Sequence, residues 1–411
     1  MSQTLPSVSV VIVSWQRPVT LRRCLLALQQ QDHPALEIRL VADGASSEQA
    51  CNAMRAAGCT AGVVANPGNN ISLARNMGLG VAQGEVVAFI DDDAVPEPTW
   101  ASRLARAFLD PQVVAATGYT LGRNGISLQW AAAETDAAGQ DHPLPITSGI
   151  SLHAGTLLRA VKPVGTNCAF RRSSLLAAGG FDPAYRFYLE DADIGLRLAP
   201  QGLTAIVPEA RVHHAFAASA RRRQDRVPTS LYEIAASIAV FLRRHAPEML
   251  ELDTLPAIEA QRDRVARLRA ENRLSPPEAE ALLDTLAAGW DDGMARPLGP
   301  LPPIAAVPSE FLRLAGTGPK PGRVIAGRPW QKPRLLRQAA AAVAAGEIVT
   351  VFCLAPSPRA HRVQFTDQGF WLQTGGLFGW STRQGPRLRL TRFSARVAEE
   401  TARVAPFRPV R

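Results

Sequence analysis

The sequence predicts an α/β protein built on a mostly parallel sheet with helices on both faces. Short apolar runs rich in β-branched residues alternate with amphipathic segments over the first ninety or so residues. This alternation is typical of parallel strands joined by crossover helices. Polar or acidic residues follow several of the runs directly. Because ligands of such sheets bind outside the carboxyl ends of the strands, the same pattern indicates where a functional site would lie.

Each predicted element has a pattern of its own. Val8–Ser14 is a continuous apolar run of strand length, whereas Leu21, Cys24, Leu25 and Leu28 have the spacing of one helix face. The predicted strands are 8–14, 37–42, 62–65 and 85–90, and the predicted helices are 17–31, 47–57, 72–82, 190–199 and 231–245. Ordered structure, without an assigned type, is predicted at 165–171 and 173–178. Residues 119–163 are Gly- and Ala-rich with little periodicity, and are predicted as a long excursion.

Composition changes along the chain predict four regions. Charged helical segments surround Ser275-Pro276-Pro277, which predicts two helices with a break between them. Five prolines within 297–308 then predict a semi-rigid linker. The predicted regions are an α/β domain at 1–247, a helical hairpin at 248–296, a Pro/Gly-rich linker at 297–330 and a small basic α+β region at 331–411.

The last region carries the basic character of the chain. The protein has 411 residues and a formal net charge of +9. Residues 1–250 hold 22 Lys+Arg against 21 Asp+Glu, whereas residues 313–411 hold 17 against 4. This distribution argues against nucleic-acid binding by the whole protein. Strands are predicted at 347–354 and 363–372, and the aromatic stretch 365–380 is expected to pack on the α/β domain, with a glycan- or partner-binding surface as the alternative.

Cysteine usage and hydropathy predict a cytoplasmic protein. The five cysteines are scattered and include no CxxC pair, which predicts free thiols and not a disulfide framework or a structural zinc site. No stretch approaches 18 uninterrupted apolar residues, and no basic stretch precedes the first apolar run. Neither a membrane-spanning helix nor a signal peptide is therefore expected.

The sharpest functional signal is Asp91-Asp92-Asp93, directly after a predicted strand. Three adjacent carboxylates repel one another and lose solvation when buried. A hard divalent cation removes that cost, because Mg²⁺ and Mn²⁺ prefer carboxylate and phosphate oxygens. A solvated acidic turn is the alternative, which the position at the end of a strand disfavours.

A second acidic pair, Glu190-Asp191, opens a predicted helix. Carboxylates there also favour the helix dipole, so helix capping competes with a role as general base toward an acceptor hydroxyl. Further on, His213 and His214 are adjacent. Because side chains alternate along an extended chain, at most one of the two histidines is expected to face a given site.

Together these motifs resemble those of family-2 inverting nucleotide-sugar glycosyltransferases of the GT-A fold. The resemblance covers roughly residues 6–216, about half of the chain. It is carried by four stretches: VSVVIVSWQRP, LVADGAS, NPGNNISLARNMGLGVAQGEVVAFIDDDAVP, and GTNCAFRRSSLLAAGGFDPAYRFYLEDADIGLRLAPQGLTAIVPEARVHH.

The resemblance implies a nucleotide site. Ser14 would line the nucleoside pocket, and Asp43 would recognise the base, although Ala42 replaces the first acid of the family's usual DDGS motif. Arg75 and Asn76 match the family's ARN motif beside the nucleotide. An ordinary helix face is the alternative for these two residues.

The resemblance also implies a metal site that takes Mn²⁺ or Mg²⁺. Asp91 and Asp93 match the DXD motif, with Asp93 as the direct metal ligand, Asp91 nearer the ribose, and Asp92 as the variable residue between them beside the nucleotide. His214 matches the late histidine that completes this site in many members of the family, and His213 is the fallback.

The implied activity is transfer of a sugar with inversion. Asp191 matches the family's catalytic base, and Glu190 would support it or contact the acceptor. The donor would be a UDP- or dTDP-linked sugar and the acceptor a hydroxyl of a glycan or lipid-linked molecule, in the synthesis of cell-envelope polysaccharide, lipopolysaccharide or glycolipid. The alternatives are a non-catalytic nucleotide- or glycan-binding protein and a nucleotidyltransferase, which would carry a Gly-rich phosphate loop where this chain has SWQRPVT.

The cationic run Arg221-Arg222-Arg223, with Arg226 nearby, is expected to be a solvated loop. One alternative is a mobile lid over the diphosphate. Another is contact with anionic lipid, where each cation contributes about 1 kcal/mol. That alternative would add peripheral contact with the inner face of the membrane to the cytoplasmic location.

Overall fold

Three β-sheets organise the part of the chain that the structure describes. The computed structural model describes residues 4–56, 61–66, 68–146, 148–214, 223, 225–382 and 385–410. The strands are β1 (Val8–Ser14), β2 (Leu36–Ala42), β3 (Gly62–Ala65), β4 (Val86–Asp91), β5 (Ala94–Pro96), β6 (Val113–Leu121), β7 (Leu128–Trp130), β8 (Ala133–Asp136), β9 (Asp141–Pro143), β10 (Ser151–His153), β11 (Arg159–Val161), β12 (Asn167–Arg171), β13 (Leu203–His214), β14 (Gly322–Gly327), β15 (Ile348–Ala355), β16 (Arg362–Phe365) and β17 (Trp371–Gly376).

Helices cover the faces of these sheets. They are α1 (Pro18–Leu28), α2 (Gly44–Ala56), α3 (Ile71–Val81), α4 (Trp100–Ala107), α5 (Arg172–Ala177), α6 (Glu190–Leu198), α7 (Tyr232–His245), α8 (Pro256–Ala270), α9 (Pro276–Ala295), α10 (Lys332–Ala344) and α11 (Phe393–Val404). Short 3₁₀ turns lie at Ala199–Gln201, Pro247–Glu251 and Pro329–Gln331. Among the described residues, no helix combines the length and apolar character needed to cross a bilayer.

A ten-stranded mixed sheet forms the platform of the α/β domain. Its central order is β10-β13-β6-β12-β4-β1-β2-β3, with β5 beside β13 and β7 beside β6. Strands β1 to β4 pair in parallel, as the sequence predicts. Buried side chains of α1, α2 and α4 pack on one face, and those of α3, α5 and α6 pack on the other. The predicted mostly parallel sheet with helices on both faces is confirmed, and β12 is the antiparallel member between β4 and β6.

The long excursion predicted at 119–163 contains more structure than its sequence suggested. Strands β8, β9 and β11 form a separate three-stranded sheet, and β10 pairs with β13 at the edge of the main sheet. These strands are three or four residues long. Strands this short are held by backbone pairing and give too few residues for a two-residue periodicity to be visible.

The helical hairpin packs on the α/β domain through α7. Helices α8 and α9 flank Ser275, whose side chain and Glu278 form a capping box at the start of α9. Gly293 of α9 lies so close to α7 that an added Cβ would come within 2.4 Å of the Ala236 carbonyl oxygen. The two helices predicted in 248–296 are therefore present, and a glycine contact brings α9 against α7.

The segment predicted as a linker is largely bound to the α/β domain. The Ile304 and Val307 amides donate to carbonyl oxygens of Leu176 and Gly80, and the Leu314 amide donates to that of Leu36. Strand β14 also begins inside the predicted linker range 297–330. Prolines stiffen this segment, and these backbone hydrogen bonds attach it to the surface of the domain.

The C-terminal residues form a four-stranded sheet in the order β14-β15-β17-β16, with α10 on one face and α11 on the other. The single strand predicted at 363–372 is wrong. The chain instead turns between β16 and β17, and Gly369 has the positive φ of +81° that this turn requires. The Trp371 ring lies 4.9 Å from the His213 ring, so the expected packing of this stretch on the α/β domain is confirmed.

Candidate active site

The acidic run lies at the carboxyl end of β4, on the edge where the parallel strands end. Strand β4 ends at Asp91 and β5 begins at Ala94. The end of β13 pairs with β5 in antiparallel register, which places His214 opposite Ala94. His214 Nε2 consequently lies 3.0 Å from Asp93 Oδ1 and 3.8 Å from Asp91 Oδ2. Two segments more than a hundred residues apart in sequence thus meet at one point.

Asp91, Asp93 and His214 form a group that could hold a metal ion. One potential ligand atom from each lies within 4.8 Å of the others. Asp93 and His214 are largely buried, whereas the Asp91 side chain is 32% exposed, so the group is most open beside Asp91. The His214 Nδ1 lies 3.1 Å from Gln129 Oε1. A polar partner of this kind fixes the orientation of a ligating imidazole.

His213, the fallback ligand, points away from the acidic turn. Its Nε2 lies 2.7 Å from Glu97 Oε1, and burial lowers the pKa of its ring. Arg408, from the C-terminal end of the described chain, also pairs with Glu97. Since neighbouring residues of a strand face opposite sides, His213 is used in this buried contact while His214 faces the acidic group.

Asp92 lies inside the turn and does not face open space. It is 4% exposed, and it accepts hydrogen bonds from Ser14 Oγ at 2.7 Å and Arg17 Nη1 at 3.0 Å. Burial raises the pKa of Asp92 to about 6, against the opposing effect of Arg17 and Ser14. Ser14 itself is 1% exposed. The Ser14 hydroxyl therefore supports the acidic turn, and its expected place in the nucleoside pocket stays a prediction. Arg17 was missed, although its position after β1 is a usable signal.

Arg75 connects the two acidic clusters. Its Nη1 lies 2.8 Å from Glu190 Oε1, and its Nη2 lies 3.8 Å from Asp91 Oδ1 and donates to the Gly165 carbonyl oxygen at 3.2 Å. Burial alone would lower the pKa of Arg75, but Glu190 and Asp91 outweigh it and the pKa is raised. The guanidinium, 4% exposed, is thus a buried charge that holds the start of α6 near the end of β4.

Asn76 is not part of this group. Its amide nitrogen donates to the Phe181 carbonyl oxygen at 2.7 Å, and its amide oxygen accepts from the Phe181 amide at 2.8 Å. The turn before Phe181 is built on Gly179 and Gly180, both with positive φ. Consecutive helical residues point about 100° apart, so Asn76 supports this turn while Arg75 reaches the acids. The expected position of Asn76 beside the nucleotide stays a prediction.

Asp191 is the acid of the second pair that solvent can reach. Its side chain is 14% exposed, and its Oδ2 accepts from the Gly165 amide at 3.1 Å. Glu190 is buried against Arg75, and burial raises the pKa of its carboxyl group. Lys162, which sequence reasoning missed, places its Nζ 3.9 Å from Asp191 Oδ1 and 3.3 Å from Asp141 Oδ2. The one sequence signal for Lys162 is that lysine is rare in this chain, which has three lysines among 411 residues.

Asp43 lies at the end of β2, beside the end of β1. It accepts hydrogen bonds from the Gln16 amide at 2.5 Å and the Ser46 amide at 2.9 Å. Burial would raise the pKa of Asp43, but these amides outweigh it and the pKa is lowered. The carboxylate is therefore held ionised at the start of α2, on the edge of the sheet where the acidic turn also lies.

The strand order, the crossover helices and the acidic turn after β4 define a GT-A-like fold, the α/β fold of nucleotide-sugar glycosyltransferases. Residues 9–176 match the model of the family described as Glycosyl transferase family 2. The match includes Ser14, Asp43 and Asp93 but ends before Asp191 and His214, whose proposed roles depend on the geometry above and on the resemblance in sequence.

Two solved structures are similar to the chain. A crystal structure of GalNAc-T7 with UDP, GalNAc and Mn²⁺ has a TM-score of 0.46 and 17% identity, covering 59% of this chain and 48% of that one. The Pyrobaculum calidifontis mannosyltransferase PcManGT, in complex with GDP-Man and Mn²⁺, has a TM-score of 0.41 and 19% identity, covering 69% of this chain and 80% of that one. The chain spans about half the length of the first protein. No curated protein matches the chain.

Proposed function

We propose that the protein is a metal-dependent glycosyltransferase that inverts the configuration of the sugar it transfers. The donor is a nucleoside-diphosphate sugar, UDP- or dTDP-linked, and the acceptor is a hydroxyl group of a glycan or a lipid-linked molecule. The observation that carries the proposal is the position of Arg75, which contacts Asp91 of the Asp91–Asp93–His214 group and also Glu190, the neighbour of Asp191 in sequence. Pure binding would not require a second acidic pair with a partly exposed carboxylate in addition to the metal group.

The donor set suits a divalent cation. Two carboxylates and one imidazole match Mn²⁺, and carboxylates also match Mg²⁺. Asp91, Asp93 and His214 would hold the ion, which when bound would stabilise the negative charge that develops on the departing diphosphate. The greater exposure of Asp91 leaves room on that side for phosphate oxygens.

Asp191 is proposed as the general base. As the acceptor oxygen attacks the anomeric carbon, its proton passes to Asp191, and the bond from that carbon to the diphosphate breaks on the opposite face. One displacement of this kind inverts the anomeric configuration. The Gly165 amide and the Lys162 ammonium fix the orientation of the carboxylate, whereas Glu190 is already bound to Arg75.

The first test is Asp191→Asn. The amide keeps the shape of the side chain but cannot accept the proton, so transfer should fall by about 10²–10⁴. Binding of UDP or dTDP with Mn²⁺, measured by thermal shift, should stay at the wild-type level, because a ligand of the native state raises its melting temperature. Transfer at the wild-type rate by the purified variant would reject Asp191 as the base.

The stereochemical outcome and the donor need separate measurements. NMR of the first product formed should show the anomeric configuration opposite to that of the donor; retention would overturn the single-displacement mechanism. A thermal-shift screen of UDP, dTDP, GDP and CDP sugars with and without Mn²⁺ should show metal-dependent stabilisation by the UDP or dTDP series.

We place the product in the synthesis of cell-envelope polysaccharide, lipopolysaccharide or glycolipid, by a cytoplasmic enzyme with peripheral membrane contact.

A further inference from the structure

The C-terminal sheet presents a strip on which arginines alternate with exposed apolar side chains. We call residues 387–392 the basic-apolar strip. Leu388 and Leu390 are 60% and 83% exposed, and Arg387, Arg389 and Arg392 are also exposed. Leu388 lies between Arg387 and Arg389, and Leu390 follows Arg389 directly. The strip therefore has the composition of a surface that meets something both anionic and apolar.

A third exposed apolar side chain, that of Trp330, lies at the same edge of the sheet. The Arg328 guanidinium stacks 4.4 Å above the ring of Phe393, the residue that follows the strip. Two residues after Arg328, Trp330 is 71% exposed, and Lys332 and Arg334 at the start of α10 are exposed as well. The stacking joins the carboxyl end of β14 to the start of α11, so these groups share one edge of the sheet.

The sequence around this edge is free of acids. Neither residues 311–346 nor residues 368–398 contain any Asp or Glu, and the second stretch contains five arginines. Glu399, the next acid, pairs with Arg389. The excess positive charge of the C-terminal region is therefore concentrated where its apolar side chains are exposed.

We propose that this face docks the protein on the surface of an anionic phospholipid bilayer. Tryptophan and leucine side chains enter the boundary between headgroups and acyl chains, and cations near the surface are attracted by anionic lipid. A nucleic acid or another soluble polyanion would engage the arginines but would gain nothing from Leu390 and Trp330. The inference stands independently of sugar transfer.

The strip suits this role better than the arginine run near residue 221. Arg221 and Arg222 lie outside the described residues. Arg223 is already paired with Asp225 and Glu278. Docking through 387–392 and Trp330 thus supplies a specific surface for the peripheral contact proposed above.

The test is co-sedimentation of the full-length protein with sucrose-loaded vesicles. Vesicles of phosphatidylglycerol and phosphatidylcholine should pellet the protein at low salt, and phosphatidylcholine alone should not. Arg387→Gln with Arg392→Gln should weaken partitioning about 25-fold, because each cation contributes about fivefold. Arg392 is the N-cap of α11 without a capping hydrogen bond, and a cation is unfavourable there, so its loss does not weaken the helix.

The matched control is Arg267→Gln with Arg269→Gln, which removes two exposed arginines from α8. It lowers the net charge equally and should leave partitioning unchanged. Leu390→Asn with Trp330→Asn tests the apolar part and should weaken partitioning at least tenfold. Melting temperatures identify any variant that fails to fold. If a variant does fail, binding of the wild type to the two vesicle types still tests the proposal, because that comparison uses no variant.

Three results would overturn the proposal: no binding of the wild type to anionic vesicles at low salt, an equal loss in the α8 control, or full binding by the Leu390 and Trp330 variant. The last result would indicate a site for soluble polyanions. Thermal shift by UDP or dTDP with Mn²⁺ should be the same in all variants; its absence in the wild type would count against the proposed transferase and leave the docking result standing.

Discussion

Replacing Arg408 should weaken the attachment of the C-terminal sheet to the α/β domain. Arg408 and Glu97 form a bidentate pair with both nitrogen–oxygen distances at 2.6 Å. Their side chains are 2% and 4% exposed. The guanidinium also lies 3.9 Å from the centre of the Trp371 ring. The variant Arg408→Met keeps much of the volume and removes the charge.

The expected loss of stability in Arg408→Met follows from the buried Glu97 carboxylate that the substitution leaves without its arginine. Without Arg408, Glu97 stays buried and keeps its contact with His213. Removing one member of a buried pair costs about 3–5 kcal/mol, whereas replacing both members by neutral groups is close to neutral. The free energy of unfolding should therefore fall by about 3–5 kcal/mol in Arg408→Met, and Glu97→Gln added to it should restore most of the loss.

Urea unfolding followed by circular dichroism measures this loss, and hydrogen exchange in β17 reports whether the contact itself has opened. Arg323→Met is the matched control, since Arg323 pairs with Glu347 at the surface and is 53% exposed. An exposed pair contributes at most about 1 kcal/mol. If Arg408→Met cost less than about 1 kcal/mol, or no more than Arg323→Met, the pair would not hold the two parts together.

The loss should also depend on pH. Burial alone would raise the pKa of Glu97, but Arg408 and His213 outweigh it and hold the pKa far below its usual range. A depressed pKa adds stability that is present above the unfolded pKa, about 4.3, and is lost as the pH falls toward the folded value. In Arg408→Met burial dominates, so the pKa should rise above 4.3 and the cost should appear only at higher pH. The difference between wild type and variant should therefore shrink from pH 7 to pH 4.

Two further substitutions test the site. His214→Ala should weaken Mn²⁺ binding, measured by calorimetry, at least tenfold, whereas an unchanged affinity would remove His214 from the metal group. Gly165→Ala would place its Cβ 2.5 Å from Arg75 Nη2, which should lower the free energy of unfolding by about 1–3 kcal/mol. The variant should also lose the metal-dependent thermal shift by UDP or dTDP. Gly80→Ala, on the same helix as Arg75 with nothing within 4 Å of the added Cβ, is the control and should leave nucleotide binding intact.

The fold was predictable where local pattern and packing agree. Strands β1 and β3 have the predicted bounds, because each is an apolar run between clear breaks. The turn between β16 and β17 was missed although Thr366-Asp367-Gln368-Gly369 is a turn signal, since the flanking residues read as one apolar strand. Strands β8 to β11 are too short for any periodicity. Their pairing is decided by backbone contacts that single residues do not reveal.

The site was predictable to the extent that its residues follow strands. Asp91 is the last residue of β4 and Asp93 follows two residues later, and the sequence predicted both at the edge of the sheet. The choice between His213 and His214 depended on strand register, which the sequence left open. Lys162 and the inward orientation of Ser14 depend on contacts between distant segments, so they became visible only in the structure.

The pairing of Glu97 with Arg408 has a consequence for synthesis of the chain. The two residues are separated by 311 positions. At a translation rate of about 5–20 residues per second, Glu97 leaves the ribosome roughly 15–60 s before its partner exists. During that interval the segment after β5 must either stay open to water or hold Glu97 protonated. The α/β domain is thus expected to mature in two stages, and the second depends on the arrival of the C-terminal sheet.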